Sequence, residues 1–350
     1  MLAKSLSSQY LDGISIKGSQ VSSIKLLGEY RGRQDLFRRR APEVLSSLKR
    51  VALIESAESS NRIEGVTAPR ERVEALVLRP TQPANRSEEE IAGYRDALNL
   101  VHEAAVDMPL TVNAILQLHS MLYRFHPGTG GRWKATQNDI VERHPDGSTR
   151  VLFQPVSSAS TPQAMDDLVT AYNRELDAQR EPLVLIPLTI LDLLCIHPFS
   201  DGNGRIARLL TLLLLYRGDV EVGRYISLER VIEQSKETYY EALRASSQGW
   251  HEGRHDPHPW LTYFWGMLIA AYKEFEERVG ASRDGRGAKT ALIEHAVRRR
   301  TRAFSISDIE AECPDVSRDM VRHVLRAMRE RGEVEVQERG RGAKWIRRAV

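Results

Sequence analysis

Two strongly apolar stretches with helical periodicity, residues 183–196 and 206–216, are joined by the polar run His197-Pro-Phe-Ser-Asp-Gly-Asn-Gly-Arg205. Two such helices need burial on most of their surface, so the chain is expected to fold as a mainly α protein with a glycine-rich turn between them. Neither crosses a bilayer: the first is too short and is interrupted by Pro187 and Asp192. The N-terminus, Met1-Leu-Ala-Lys-Ser-Leu-Ser-Ser, has no sustained apolar core, so neither a leader nor a membrane segment is expected. Cys195 and Cys313 lie far apart without paired spacing, which disfavours a disulfide framework or a zinc site and points to the cytoplasm.

The turn carries more chemistry than packing requires. Gly202, Asn203 and Gly204 stand directly before an apolar helix, where unpaired backbone N–H groups and the helix dipole favour an anion. Glycine lets the backbone approach closely, and Arg205 and Arg208 are suited to phosphate oxygens. Asp201 is the carboxylate of the loop and a hard ligand for Mg²⁺ shared with nucleotide phosphates, while His197 is placed to take a proton from an attacking hydroxyl. Together these residues point to phosphoryl or nucleotidyl transfer. His251, His255 and His258 lie among Gly253, Pro257 and Pro259 without ligand spacing, so no metal site is expected there.

Elsewhere the periodicity predicts a long amphipathic helix over 43–60 running into Ser60-Asn-Arg-Ile-Glu64-Gly65, whose glycine is a natural stop. Ser87-Glu-Glu-Glu90 reads as a capping box for the next helix, and another helix follows Thr111. Between 128 and 160 the composition shifts to Gly, Pro, Thr and Ser around two short β-like runs, 138–141 and 150–153, separated by His144-Pro-Asp-Gly147: a hairpin inserted into the helical core.

Charge divides the chain unevenly. Residues 281–350 hold 17 Lys and Arg against 11 Asp and Glu, a net of +6, whereas the preceding 280 residues net −3. Arg283-Asp-Gly-Arg-Gly287 reads as a linker to a basic unit of three helices (289–300, 307–313, 317–331) and a two-stranded wing through Val334, Val336, Trp345 and Ile346, a winged helix-turn-helix. Arg318, Arg322, Arg326 and Arg329 form a stripe on its third helix, and Arg339, Arg341 and Lys344 lie on the wing, which suits DNA phosphates; a solvated or protein-docking face is the alternative. The expected division is 1–105 (N-terminal helical region), 106–280 (catalytic core) and 281–350 (basic domain).

From His197 to Arg208 the chain matches His-x-Phe-x-(Asp/Glu)-Gly-Asn-Gly-Arg-x-x-Arg residue for residue and so resembles the Fic family. The resemblance implies transfer of AMP from ATP to a Ser, Thr or Tyr hydroxyl of a protein. It implies His197 as base, Asp201 as Mg²⁺ ligand, Phe199 as packing anchor, Gly202-Asn203-Gly204 as anion hole, and Arg205 and Arg208 on the outer phosphates. Gly204 accompanies AMP transfer, since phosphorylating relatives carry Lys there. Ser60-x-x-x-Glu64-Gly65 is similar to the family's inhibitory motif, (Ser/Thr)-x-x-x-Glu-(Gly/Asn), which implies that Glu64 occupies Arg208 and blocks productive ATP binding. The hairpin corresponds to the family's flap, with Asn138, Asp139, Ile140, Val151, Leu152 and Phe153 docking a target segment. Tyr239 and Tyr240 resemble the segment bordering the adenine.

Expected partners are therefore ATP with Mg²⁺ and a hydroxyl-bearing target protein, the chain itself included. Contact with DNA or protein through the basic domain and a homodimer are further options. The alternatives to a restrained transferase are a de-AMPylase in which Glu64 positions water and a DNA-binding regulator with a nucleotide-sensing core. The first twenty residues carry no assignment.

Overall fold

The computed structural model describes residues 3–40, 42–125, 130–143, 148–281, 288–300, 302–313, 316–337 and 343–348. The chain is mainly α. Helices α1 (Ser8–Asp12), α2 (Gly18–Arg40), α3 (Pro42–Ile63), α4 (Arg70–Leu78), α5 (Arg86–Ala104) and α6 (Val112–Leu122) precede a hairpin of β1 (Ile140–Arg143) and β2 (Thr149–Phe153). Then come α7 (Thr161–Asp177), α8 (Pro182–Ile196), α9 (Asn203–Arg217), α10 (Leu228–Gln234), α11 (Lys236–Ser247) and α12 (His258–Ala281). The C-terminal part holds α13 (Ala288–Arg298), α14 (Ile306–Glu312), α15 (Arg318–Glu330), β3 (Val334–Val336) and β4 (Trp345–Arg347). No helix among the described residues is long and apolar enough to cross a membrane.

The chain divides into two units, one of Met1–Gly32, Leu53–Gly223 and Ser227–Ala270, the other of Arg33–Ala52, Arg224–Ile226 and Ala271–Val350. These are not the segments expected from composition, because α2, α3 and α12 each run through a boundary that a charge or loop signal cannot locate. In the first unit α8 packs on α7 and α9, and α9 also packs on α5 and α6. Nearly every side chain of α8 and α9 is buried, as their all-round apolar character requires. A fully buried Leu contributes about 2 kcal/mol, so this leucine-rich pair anchors the core and fixes the turn between its members.

Local signals explain most boundaries. Thr111 caps α6 by accepting from the Ala114 N–H, 3.0 Å. The α5 cap lies two residues before the expected Ser87: Asn85 is in the extended region and its Oδ1 accepts from the Glu88 N–H, 3.0 Å, while Glu88 Oε2 accepts from the Ala84 N–H, 2.8 Å. Asn is as good a cap as Ser, and the Glu three residues on decides the register. The hairpin strands pair antiparallel with Glu142 opposite Arg150, and the register shifts between Ile140 and Val141. Asn138 and Asp139, read as strand, precede β1, and the expected turn at 144–147 lies outside the described residues.

The unassigned N-terminus is part of the first unit. Ser5 donates its N–H to both oxygens of fully buried Asp192 on α8, at 3.1 and 3.0 Å, and Trp250 Nε1 donates to the same carboxylate at 2.6 Å. His255 meets the Ser5 hydroxyl at 2.8 Å and stacks on Tyr10, so its buried ring serves packing.

In the second unit Ile293, Val297, Phe304, Ile309, Val321, Leu325 and Trp345 share one apolar core. Ser305 and Asp308 form a capping box on α14, and Ser317 caps α15. Phe304 exchanges both backbone hydrogen bonds with Trp345, at 2.8 and 2.7 Å, which sets it beside the β3–β4 ribbon. The linker at 283–287 and wing residues 338–342, with Arg339 and Arg341, lie outside the described residues.

Candidate active site

His197 caps the C-terminus of helix α8 and takes left-handed backbone angles, φ 51° and ψ 61°. Such a conformation costs a non-glycine residue free energy unless its surroundings hold it there. His197 Nδ1 lies 3.2 Å from the Leu194 carbonyl. A carbonyl only accepts, so Nδ1 carries the proton and Nε2 keeps its lone pair. Burial pulls the His197 pKa down to about 4, with the Leu194 carbonyl opposing and the Lys134 charge assisting, so the ring is neutral at physiological pH.

The loop after His197 closes on itself through Asn203. Its Oδ1 accepts from the Phe199 N–H, 2.9 Å, and its Nδ2 donates to the Phe199 carbonyl, 2.7 Å. The Asn203 side chain is thus spent on the loop, leaving backbone N–H groups at the start of α9 for an anion. Phe199 is fully buried and stacks on His119, centroids 3.7 Å apart and planes 5° from parallel. His119 Nδ1 accepts from the Gly131 N–H, 2.9 Å, so its Nε2 donates to the Asp201 carbonyl, 3.1 Å. Gly202 caps α9 at φ 81°, and a Cβ there would crowd Leu122 and the Tyr123 hydroxyl at 3.0 Å.

Asp201 Oδ2 accepts from the Tyr123 hydroxyl, 2.8 Å, and Oδ1 from the Gly202 N–H, 2.7 Å. Burial works against its charge, but Tyr123, Arg205 and the Gly202 N–H outweigh it and hold the pKa low. Its side chain is 67 % exposed. An ionised, accessible oxygen donor fits Mg²⁺, which takes one or two protein carboxylates and completes its shell with phosphates and water. Among the described residues no group of three or more His, Cys, Asp or Glu is placed to hold a metal ion.

The two arginines part company. Arg208 donates from Nε to the Ser60 hydroxyl, 2.8 Å, and from Nη2 to the Ser60 carbonyl, 2.9 Å, and to Glu64 Oε1, 2.8 Å. Burial disfavours its charge, and Glu64 more than restores it, raising the pKa. Glu64 lies in the turn just beyond the end of α3, yet it and Ser60 converge on this one guanidinium. Arg205, expected on the outer phosphates, is 1 % exposed beneath the loop, donating to Glu90 Oε2 at 2.6 Å and to the Tyr123 hydroxyl at 2.9 Å. It points inward because position 205 falls on the side of α9 that packs against α5 and α6, and its charge acts through Tyr123 and Asp201.

These groups open on a cavity of about 780 Å³ lined by Glu64, His197, Asp201, Gly204, Arg208 and the flap. The volume lies within the roughly 300–1,000 Å³ of small-molecule sites. Asn138, Asp139, Ile140, Leu152 and Phe153 line it, whereas Val151 faces solvent. Tyr239 is buried edge-on against Trp260 and Tyr263, and Tyr240 is 45 % exposed at the cavity. Gly204 faces Glu64 so closely that a Cβ there would collide with the carboxylate oxygen.

Sequence reasoning missed His119, Tyr123, Glu90 and Lys134. His119 shares the stripe of Ala114, Ile115, Leu118 and Leu122 on α6, and a polar residue inside an apolar stripe is the one signal that marked it.

Residues 109–215 match the Fic/DOC family. The chain is similar to the protein adenylyltransferase Fic of Nematostella vectensis, 28% identical over 203 residues that cover 54% of this chain and 42% of that one. It is also similar to protein adenylyltransferase fic-1 of Caenorhabditis elegans, 28% identical over 136 residues covering 38% of this chain and 25% of the relative. The chain thus spans less than half the length of these curated relatives. Among solved structures, a Fic family protein of Desulfovibrio desulfuricans superposes with a TM-score of 0.63 at 21% identity, covering 96% of this chain and 98% of that one. A Fic-domain signaling protein of Bacteroides thetaiotaomicron does so at 0.58 with 25% identity, covering 72% of this chain and 94% of its own. Matched region and an unbroken His197-to-Arg208 run agree: residues 109–215 match the Fic/DOC family, and the chain shares the fold of solved Fic proteins.

Proposed function

We propose that the chain is a protein adenylyltransferase that moves AMP from ATP to a Ser, Thr or Tyr hydroxyl of a protein and is restrained by Glu64. The observation that carries this reading is the Glu64–Arg208 contact at 2.8 Å inside the cavity onto which His197 opens. A carboxylate and a phosphate compete for one guanidinium. With Glu64 in place, Nε and Nη2 of Arg208 are taken by Ser60 and Glu64, so a γ-phosphate must displace the carboxylate to reach Nη2.

Once Glu64 withdraws, the neutral His197 takes the hydroxyl proton on Nε2 as the target oxygen bonds to Pα. The Pα–O bond to the β-phosphate breaks, and pyrophosphate leaves with the electron pair. The α9 N-terminus and Arg208 hold the phosphates in line. Mg²⁺ carried with ATP and held by Asp201 would neutralise charge on the phosphates. Gly204 leaves room for Glu64 in the restrained state and for a phosphate in the open one.

The test is incubation with Mg²⁺ and α-³²P-ATP of the wild type, Glu64→Gly and His197→Ala. Label on protein, strong in Glu64→Gly and absent without His197, is the expected outcome. No label in any form, with removal of AMP from a modified protein by the wild type, would replace this reading with the de-AMPylase one.

We further propose that α15 contacts duplex DNA, supported by Arg318, Arg322, Arg326 and Arg329, all exposed along one flank. Arg318 and Arg322 also pair with Glu310 at 2.6 Å and Asp319 at 3.1 Å, contacts that phosphates would have to displace. A gel shift that weakens with salt and with Arg326→Ala and Arg329→Ala supports the contact; none at low salt refutes it.

A further inference from the structure

Four successive carbonyls run through the turn that presents His197, and all four are bonded from one short segment before the flap. Lys134 Nζ donates to the Ile196 carbonyl, 3.1 Å, and the Lys134 N–H donates to that of Pro198, 2.9 Å. Asn138 Nδ2 donates to the carbonyls of His197, 3.3 Å, and Phe199, 2.7 Å. The two residues are locked to each other by a Lys134 Nζ to Asn138 Oδ1 bond of 2.8 Å.

The arrangement has an energetic logic. Ile196 ends α8, where the last carbonyls have no intrahelical partner and the dipole favours a cation. An ammonium 3 % exposed at that point meets both needs. Burial lowers the Lys134 pKa to about 8, with Asp139 opposing, which leaves it charged at neutral pH. The left-handed angles of His197 need over-determination by their surroundings, and the bonds to the flanking carbonyls supply it. Asn138 has a second position of consequence: β1 begins two residues later, at Ile140.

We propose that Lys134 and Asn138 are positioning residues that hold the His197 backbone in place and couple the flap strand to the aim of Nε2. A target segment that sets the flap would thereby set the base, so docking and proton transfer share one bracket. The inference about catalysis rests on the transferase reading above; the inference about His197 geometry does not.

The experiment therefore has two arms, run on the full chain carrying Glu64→Gly. The first follows His197 by NMR in protein labelled at histidine ring nitrogens, for Asn138→Asp, Lys134→Met and Lys134→Arg. Asn138→Asp preserves shape and removes both donors. The expected result is that Asn138→Asp and Lys134→Met lose the single Nδ1–H tautomer, with partial recovery in Lys134→Arg. The second arm measures transfer and Mg·ATP binding by calorimetry. Misplacement of a base by about 1 Å costs roughly 100-fold, so kcat should fall roughly 10- to 100-fold while Mg·ATP affinity stays within about twofold.

An unchanged His197 spectrum in Asn138→Asp overturns the proposal whatever the activity. Loss of the tautomer together with loss of Mg·ATP binding also overturns it, because that pattern marks collapse of the whole site. If no variant or parent transfers AMP, the transferase reading fails and the spectrum alone decides the bracket.

Discussion

Glu64 and Ser60 close on Arg208 from the last turn of α3 and the residue just beyond it, the carboxylate at 2.8 Å from Nη2 and the Ser60 hydroxyl at 2.8 Å from Nε. Arg208 is 3 % exposed, so its charge depends on these partners. The Glu64 contact is therefore a structural bond as well as the proposed restraint: the carboxylate proposed to block the nucleotide keeps a buried guanidinium paired.

Glu64→Ala should lower stability toward urea by about 1–3 kcal/mol, the cost of leaving a buried charged donor without its acceptor. Mg·ATP should return much of the loss, because a phosphate takes the vacated place and binding stabilises the folded state. Urea melts with and without nucleotide give the comparison. The same loss in both conditions would mean that Arg208 does not receive the phosphate.

Gly204→Ala places a methyl against Glu64 Oε1 and, at 3.2 Å, beside Arg208 Nη1. It should destabilise the wild type more than the Glu64→Gly background, with a coupling on the order of 1 kcal/mol from a double-mutant cycle. Additive effects would show that Glu64 does not occupy the space above Gly204.

Acid should weaken the fold between pH 6.5 and about 4. Burial lowers the pKa values of His119, His197 and His255 from 6.5 to about 4, so across that window the unfolded chain binds protons the folded one refuses, and stability falls with pH. Burial raises Asp192 to about 6 against the Ser5 and Trp250 donors, and this group works in the opposite sense between about 6 and 3.8. Across these four groups the net is a loss equivalent to roughly two histidines, and half-buried His295, whose pKa is also lowered, adds in the same direction. His119→Gln, which cannot titrate, should show a shallower decline in urea melts from pH 7 to 5; an identical decline would sink the assignment.

His119→Phe keeps a ring on Phe199 but orphans the Gly131 N–H, a loss of about 1–3 kcal/mol. His119→Ala also opens a cavity and should cost about 2–5 kcal/mol. Equal melts for the two variants would mean that the stacking carries nothing.

The loop cluster that lines part of the cavity was visible in sequence, because a histidine, a carboxylate, glycines and arginines within twelve positions exceed what packing needs. Periodicity likewise determined the mainly α class and the apolar helices on either side of the turn, since burial demand is written in side-chain type. The hairpin and the approximate start of α5 followed from short-range turn and cap chemistry. What only the tertiary structure decided is which group each of these residues meets. Arg205 and Arg208 are alike in sequence, and packing sends one beneath the loop to Glu90 and the other to Ser60 and Glu64. His119 and Lys134 carry no motif, and they matter because α6 and the segment before the flap bring them to Phe199 and to the end of α8. Sequence specifies chemistry and local periodicity; distances of a few ångströms between residues far apart in the chain come from helix packing, which a linear pattern does not encode.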